Sequence, residues 1–154
     1  MGRLKELRTY VDRELEQMPD AGKQAGAIAH LYGVSLAATM LAKKRGLDPE
    51  LASMSAMLHD LHAYKSGSYE DHAQRGAELA REILGTLKLT TAEETETICS
   101  AIFHHDDKQV VDGPMDELLK DADVIHHCMN DVSKAVKDKE KARYERLCEE
   151  FGLA

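Results

Sequence analysis

The stretch DPELASMSAMLHDLHAYKSG, Asp48 to Gly67, decides how this chain folds. It opens on a capping aspartate, a proline at the first helical position and an acid in the first turn, Asp48, Pro49 and Glu50. Apolar side chains then recur three and four residues apart at Leu51, Met54, Met57, Leu58 and Leu61, the stripe of a helix lying on a core. A polar break follows at Lys65-Ser66-Gly67-Ser68. Into the end of that stripe the sequence sets His59 and Asp60. A carboxylate beside a buried face is costly unless it is paired or bound to a cation.

The same period extends in both directions. A first helix is expected over residues 3–17. Asp20 caps a second, with Ile28, Leu31, Val34, Ala38, Leu41 and Ala42 facing inward and Gly46 as its stop. Downstream, Ala73 to Leu87 reads as a helix, and Thr91-x-x-Glu94 is a capping box that opens another. Residues 106–114 read as a loop, and a further helix runs from about Met115 through Ile125. A charged peripheral helix is expected over about 131–151, with Val132, Val136, Tyr144, Leu147 and Phe151 as its apolar positions. No alternating strand pattern, repeat or low-complexity segment occurs. The reading is an all-α bundle of six or seven helices, residues 1–154 forming one domain with its motifs in about 25–128.

Composition narrows the function. With 43% hydrophobic and 31% charged residues in 154, the chain has the make-up of an ordinary globular protein. A net charge of −8 leaves no basic stripe for a nucleic-acid polymer, while permitting a small anionic substrate beside a metal. Cys99, Cys128 and Cys148 lack C-x-x-C spacing, so no disulfide framework is expected. The charged start MGRLKELRTYVDREL has no apolar leader segment, and the apolar run from Val34 to Ala42 is too short to span a bilayer. A cytoplasmic protein with no membrane partner is expected. Its oligomeric state is not encoded in these features.

Eight histidines stand out against this background. Any one of them, taken alone, is more simply a hydrogen-bonded surface or core imidazole. Their positions relative to the stripes argue further. His30 borders the buried face of its helix, His59 and Asp60 sit at the end of theirs, and Asp123 follows Leu119 by four and adjoins Ala122. Successive residues on one helix diverge by about 100°. His59 and Asp60 therefore reach one ion from different angles, or hold neighbouring ions. Two imidazoles and two carboxylates suit manganese, iron, cobalt, nickel or zinc, with magnesium a further option, and they disfavour calcium.

These residues resemble the HD superfamily of metal-dependent phosphohydrolases. His30 in HLYGVSLAATMLAKKRGLD is similar to the family's first histidine, His59-Asp60 to its name-giving doublet, and Asp123 in LLKDADVIHH to its closing aspartate. Asp121, two residues earlier, is the rival for that last place. The resemblance extends to two-metal members through His72 in DHAQRGAELAREIL and His105 in ICSAIFHHDDK, with Asp60 bridging both ions. It implies an HD-type, phosphodiesterase-like helical bundle holding one or two divalent ions. It also implies hydrolysis of a phosphomonoester or phosphodiester, with a nucleotide as the expected substrate, by metal-activated hydroxide that Asp60 orients. Lys65 and Arg75 are the expected cationic contacts to the phosphoryl group, Lys108 a weaker third. The doublet runs on into Leu61-His62-Ala63-Tyr64, and His104-His105 into Asp106-Asp107-Lys108, both unlike cyclic-dinucleotide phosphodiesterases. An iron-dependent oxygenase and a non-catalytic helical signalling or scaffold module are the alternatives. His126-His127 fall under no motif and read as structural or exposed.

Overall fold

The computed structural model describes residues 2–153. Among them are eight helices and no strand: α1 (Arg3–Leu15), α2 (Ala21–Arg45), α3 (Pro49–Leu58), α4 (Leu61–Ser66), α5 (His72–Leu87), α6 (Ala92–His104), α7 (Pro114–Met129) and α8 (Asp138–Phe151). The caps are where the sequence puts them. Asp20 accepts from Lys23 N at 2.9 Å, and Asp48 accepts from the N–H groups of Glu50 and Leu51. Thr91 and Glu94 close a reciprocal capping box, and Gly46 ends α2 in the left-handed region at φ 69°.

The central helix α2 packs on α3 and α7, and α6 closes the layer behind α3 and α7. Leu31, Val34 and Leu41 of α2 share one buried cluster with Met54 and Met57 of α3, Ile98 and Ile102 of α6, and Leu118 and Leu119 of α7, all without solvent exposure. Each such side chain contributes roughly 1.5–3 kcal/mol by leaving water. Ile28 departs from its expected inward place and is 40% exposed. By length and composition α2 is apolar enough to cross a bilayer, but half of that window is buried in the bundle.

Two departures bear on the site. What reads as one helix from Pro49 divides at the doublet, which raises the count from the expected six or seven to eight. Asp60 leaves helical geometry at φ −111° and ψ 4°, and α4 starts afresh at Leu61. The His59 carbonyl there faces Gly76 of α5, where a Cβ would lie 3.1 Å from it, so only glycine gives this approach ordinary clearance. The last helix begins at Asp138, not at about 131. Asp131 instead accepts from the N–H and hydroxyl of Ser133, a local turn that competes with helix, and Val132 is 82% exposed with nothing to pack on.

Candidate metal centre

The break between α3 and α4 changes where the doublet points. On a continuous helix His59 and Asp60 would diverge, whereas here His59 Nε2 and Asp60 Oδ2 lie 3.3 Å apart. His30 Nε2, from α2, stands 3.1 Å from His59 Nε2 and 3.2 Å from Asp60 Oδ2. Asp123 Oδ1, from α7, lies 3.2 Å from His30 Nε2 and 3.5 Å from His59 Nε2. Atoms that share one ion at roughly 2.0–2.2 Å must be spaced by about this much.

A second group shares Asp60. Its other oxygen, Oδ1, lies 3.3 Å from His105 Nε2 at the end of α6 and 3.6 Å from His72 Nε2 at the start of α5. One carboxylate thus faces His30 and His59 with one oxygen and His72 and His105 with the other. Each cluster has donor atoms close enough to hold a single metal ion.

The rings are aimed from behind. His59 Nδ1 donates to Ala56 O at 2.7 Å, His72 Nδ1 to Tyr69 O at 2.9 Å and His105 Nδ1 to Ile102 O at 2.6 Å, each to the carbonyl three residues earlier. Fixing the proton on Nδ1 leaves the Nε2 lone pair free to face the site. His30 turns its Nδ1 to His126 Nδ1 at 2.9 Å. The ring of His126 fills the space beside Gly33, where a Cβ would come within 2.1 Å of it. Gly33 is therefore required by that ring. Burial and the neighbouring histidines push His126 down to about 4.

The charge balance is that of an ion site. Burial alone would raise Asp60 and Asp123, yet the neighbouring imidazoles, and Lys108 beside Asp123, hold both well below the usual carboxylate range. Asp60 Oδ1 and Asp123 Oδ1 are buried and make no hydrogen bond. Native folds seldom leave buried oxygens unsatisfied, and a divalent ion is the partner these two would fit. Above them opens a cavity of about 470 Å³, with Tyr64, Tyr69, Lys137 and Lys139 also on its wall.

The HD domain model matches residues 27–128, from α2 to the end of α7, and so takes in all six of these side chains. The chain belongs to the HD-domain family. It is 26% identical over 149 aligned positions to "Putative phosphohydrolase YueE" of Bacillus subtilis (strain 168), covering 82% of this chain and 84% of that one. The crystal structure of a "predicted HD superfamily hydrolase" from an uncultured Thermotogales bacterium superposes with a TM-score of 0.66 at 21% identity. It covers 98% of this chain and 90% of that one, a likeness of fold.

Within this HD fold, His30, Asp60, His72, His105 and Asp123 line one cavity, and His59 stands buried directly behind them in the same donor cluster. Asp121, the rival to Asp123, faces away and pairs with Arg45 and Arg143. Lys65 and Arg75 do not reach the cavity. Lys65 pairs with Glu14 on α1, and Arg75 lines a separate cleft with His62 and Glu78. Lys108 does arrive beside the ligand set, its Nζ 2.7 Å from Asp123 Oδ2 and 2.5 Å from the carbonyl of His105. Its burial, in the loop between α6 and α7, follows no periodic pattern that the sequence displays.

The His59 imidazole makes the metal-free HD protein sensitive to alkali. Burial opposes the charged form of His59, but Asp60 and Asp123 outweigh it and raise the ring to about 10. A group raised in the fold contributes stability that is full below its unfolded value of about 6.5 and is lost as pH climbs through the folded one. The urea midpoint of chelator-treated protein is thus expected to fall between about pH 7 and pH 10. Metal-saturated protein should not share this fall, because the ion displaces the His59 proton.

Proposed function

We propose that this protein is a metal-dependent phosphohydrolase of small phosphorylated substrates, with His30, His59, Asp60 and Asp123 holding one divalent ion and Asp60, His72 and His105 a second. The observation that carries the reading is Asp60, whose two oxygens face two separate pairs of imidazoles. The Bacillus subtilis relative, named "Putative phosphohydrolase YueE", points the same way. When bound, such ions supply water activation near neutral pH and positive charge for the phosphoryl oxygens.

The protein's own residues do the rest. Lys108 neutralises Asp123 Oδ2, which leaves Oδ1 free to face the first ion position. Carbonyls of α3, α6 and the turn before α5 keep His59, His105 and His72 in register. Lys137 and Lys139 bring positive charge to the cavity wall for an anionic substrate. Tyr69, 58% exposed and 5.3 Å from the His72 ring, offers an aromatic surface at the mouth, which favours a nucleotide. A scaffold role is disfavoured, because two buried unsatisfied carboxylate oxygens would then stand uncompensated.

The test is elemental analysis of protein purified without chelator, then phosphate release from nucleoside mono- and diphosphates and cyclic nucleotides. Two equivalents of manganese, iron, cobalt, nickel or zinc are expected, with phosphate release abolished by chelator, restored by metal and indifferent to oxygen. A protein that retains no ion even after reconstitution would overturn the proposal. A strict need for oxygen without phosphate release would move it to the oxygenase chemistry.

A further inference from the structure

The ligand set above leaves one imidazole at the cavity unused. His127, on α7, lies four residues after Asp123, which puts the two on one face of the helix. Its Nδ1 lies 2.7 Å from Oε1 of Glu140, a residue of α8 that is 1% exposed. A carboxylate only accepts, so Nδ1 carries the hydrogen and Nε2 is the ring atom turned to the site. That Nε2 lies 3.3 Å from Asp123 Oδ1, one of the two buried oxygens without a hydrogen-bond partner. A metal ion between these two atoms would satisfy the oxygen and take the ring as a donor. The ring also lies parallel to that of His30, centroids 5.2 Å apart at 11°.

This is the anchoring seen at His59, His72 and His105, with a carboxylate in place of a carbonyl. A carboxylate behind a ligand imidazole fixes the ring and raises its basicity. His127 stands outside the quartet whose donor atoms all lie within 4.8 Å of one another, so its place is at the cavity-facing edge. With its side chain one-third exposed, it has room to close on an ion. We propose that His127, held by Glu140, is a further ligand to the ion bound by His30, His59, Asp60 and Asp123. The proposal rests on the metal site assigned above. It also brings α8, which lies beyond the residues matched to the HD domain, into the centre.

The test is cobalt(II) titration of the full chain, followed by visible absorption and by competition with a chromophoric chelator. Wild type, His127→Ala and His127→Gln are compared, with circular dichroism to establish folding. Cobalt(II) affinity at one site is expected to drop by more than about tenfold in both variants, with an altered visible band. Added imidazole should restore the band in His127→Ala, because the cavity admits it. Wild-type affinity and spectrum in both variants would overturn the inference and leave the four-residue site standing. Loss in His127→Ala that His127→Gln reverses would mark a packing role and overturn it equally. A wild-type protein that takes up no cobalt would overturn the metal site itself.

Discussion

Replacing Asp60 by alanine is expected to empty both ion positions at once and to stop turnover while the helices stay formed. Asp60 is the residue common to the two clusters, so one substitution removes a donor from each. Metal-ion catalysis contributes several kcal/mol of charge stabilisation, and losing it slows turnover by about a thousandfold or more. Asp60 is buried at the junction of α3 and α4, so its loss costs some stability in the metal-free protein, but the apolar layer that holds the helices together does not include it. Elemental analysis, phosphate release and far-ultraviolet circular dichroism of Asp60→Ala provide the check. Metal retention and full activity in that variant would refute the two-cluster reading. His105→Ala is a useful partner to it, because it touches the second position alone.

The second large effect is on stability. Lys108→Met leaves Asp123 Oδ2 in the interior without its ammonium, with both side chains 5% exposed or less. Removing one partner of a buried ion pair costs about 3–5 kcal/mol, chiefly because the surviving charge stays uncompensated. The loss should appear in full in chelator-treated protein and shrink when a divalent ion is added, since the ion supplies the missing positive charge beside the same carboxylate. Urea denaturation with and without metal measures both numbers. An equal loss in the two conditions would mean that the Asp123 carboxylate faces no ion.

The fold could be read from the sequence wherever its causes are local. Asp20, Asp48 and the Thr91–Glu94 box act within three residues of themselves, and the helices start where they say. The start of α8 escaped because a turn at Asp131 outcompetes helix with one side chain, and a charged segment carries no stripe to mark the difference. The divided helix at His59–Asp60 escaped for another reason. Nothing in LHDLH is a helix breaker, and the tertiary approach of Gly76 to the His59 carbonyl is what accompanies the break.

The candidate site divides in the same way. His30, His59, Asp60 and Asp123 border apolar stripes, so their burial was foreseeable, and His72 and His105 followed from family likeness. Lys108, Glu140 and His126 draw their importance from partners 15, 13 and 96 residues distant, which no periodicity reports. Lys65 and Arg75 looked suitable by nearness in sequence to the doublet and to His72, but each long side chain leads outward from its helix.

One detail of the imidazoles has a bearing on how this protein tolerates change over time. His59, His72 and His105 take their aim from main-chain oxygens three positions earlier, at Ala56, Tyr69 and Ile102. A side-chain acceptor can be deleted by a single codon, but a peptide oxygen is supplied by whatever amino acid stands there. The heading of the three rings is therefore indifferent to which amino acid stands at 56, 69 or 102 so long as the local turn persists, and what constrains those positions is separate: the core for Ala56 and Ile102, the cavity mouth for Tyr69.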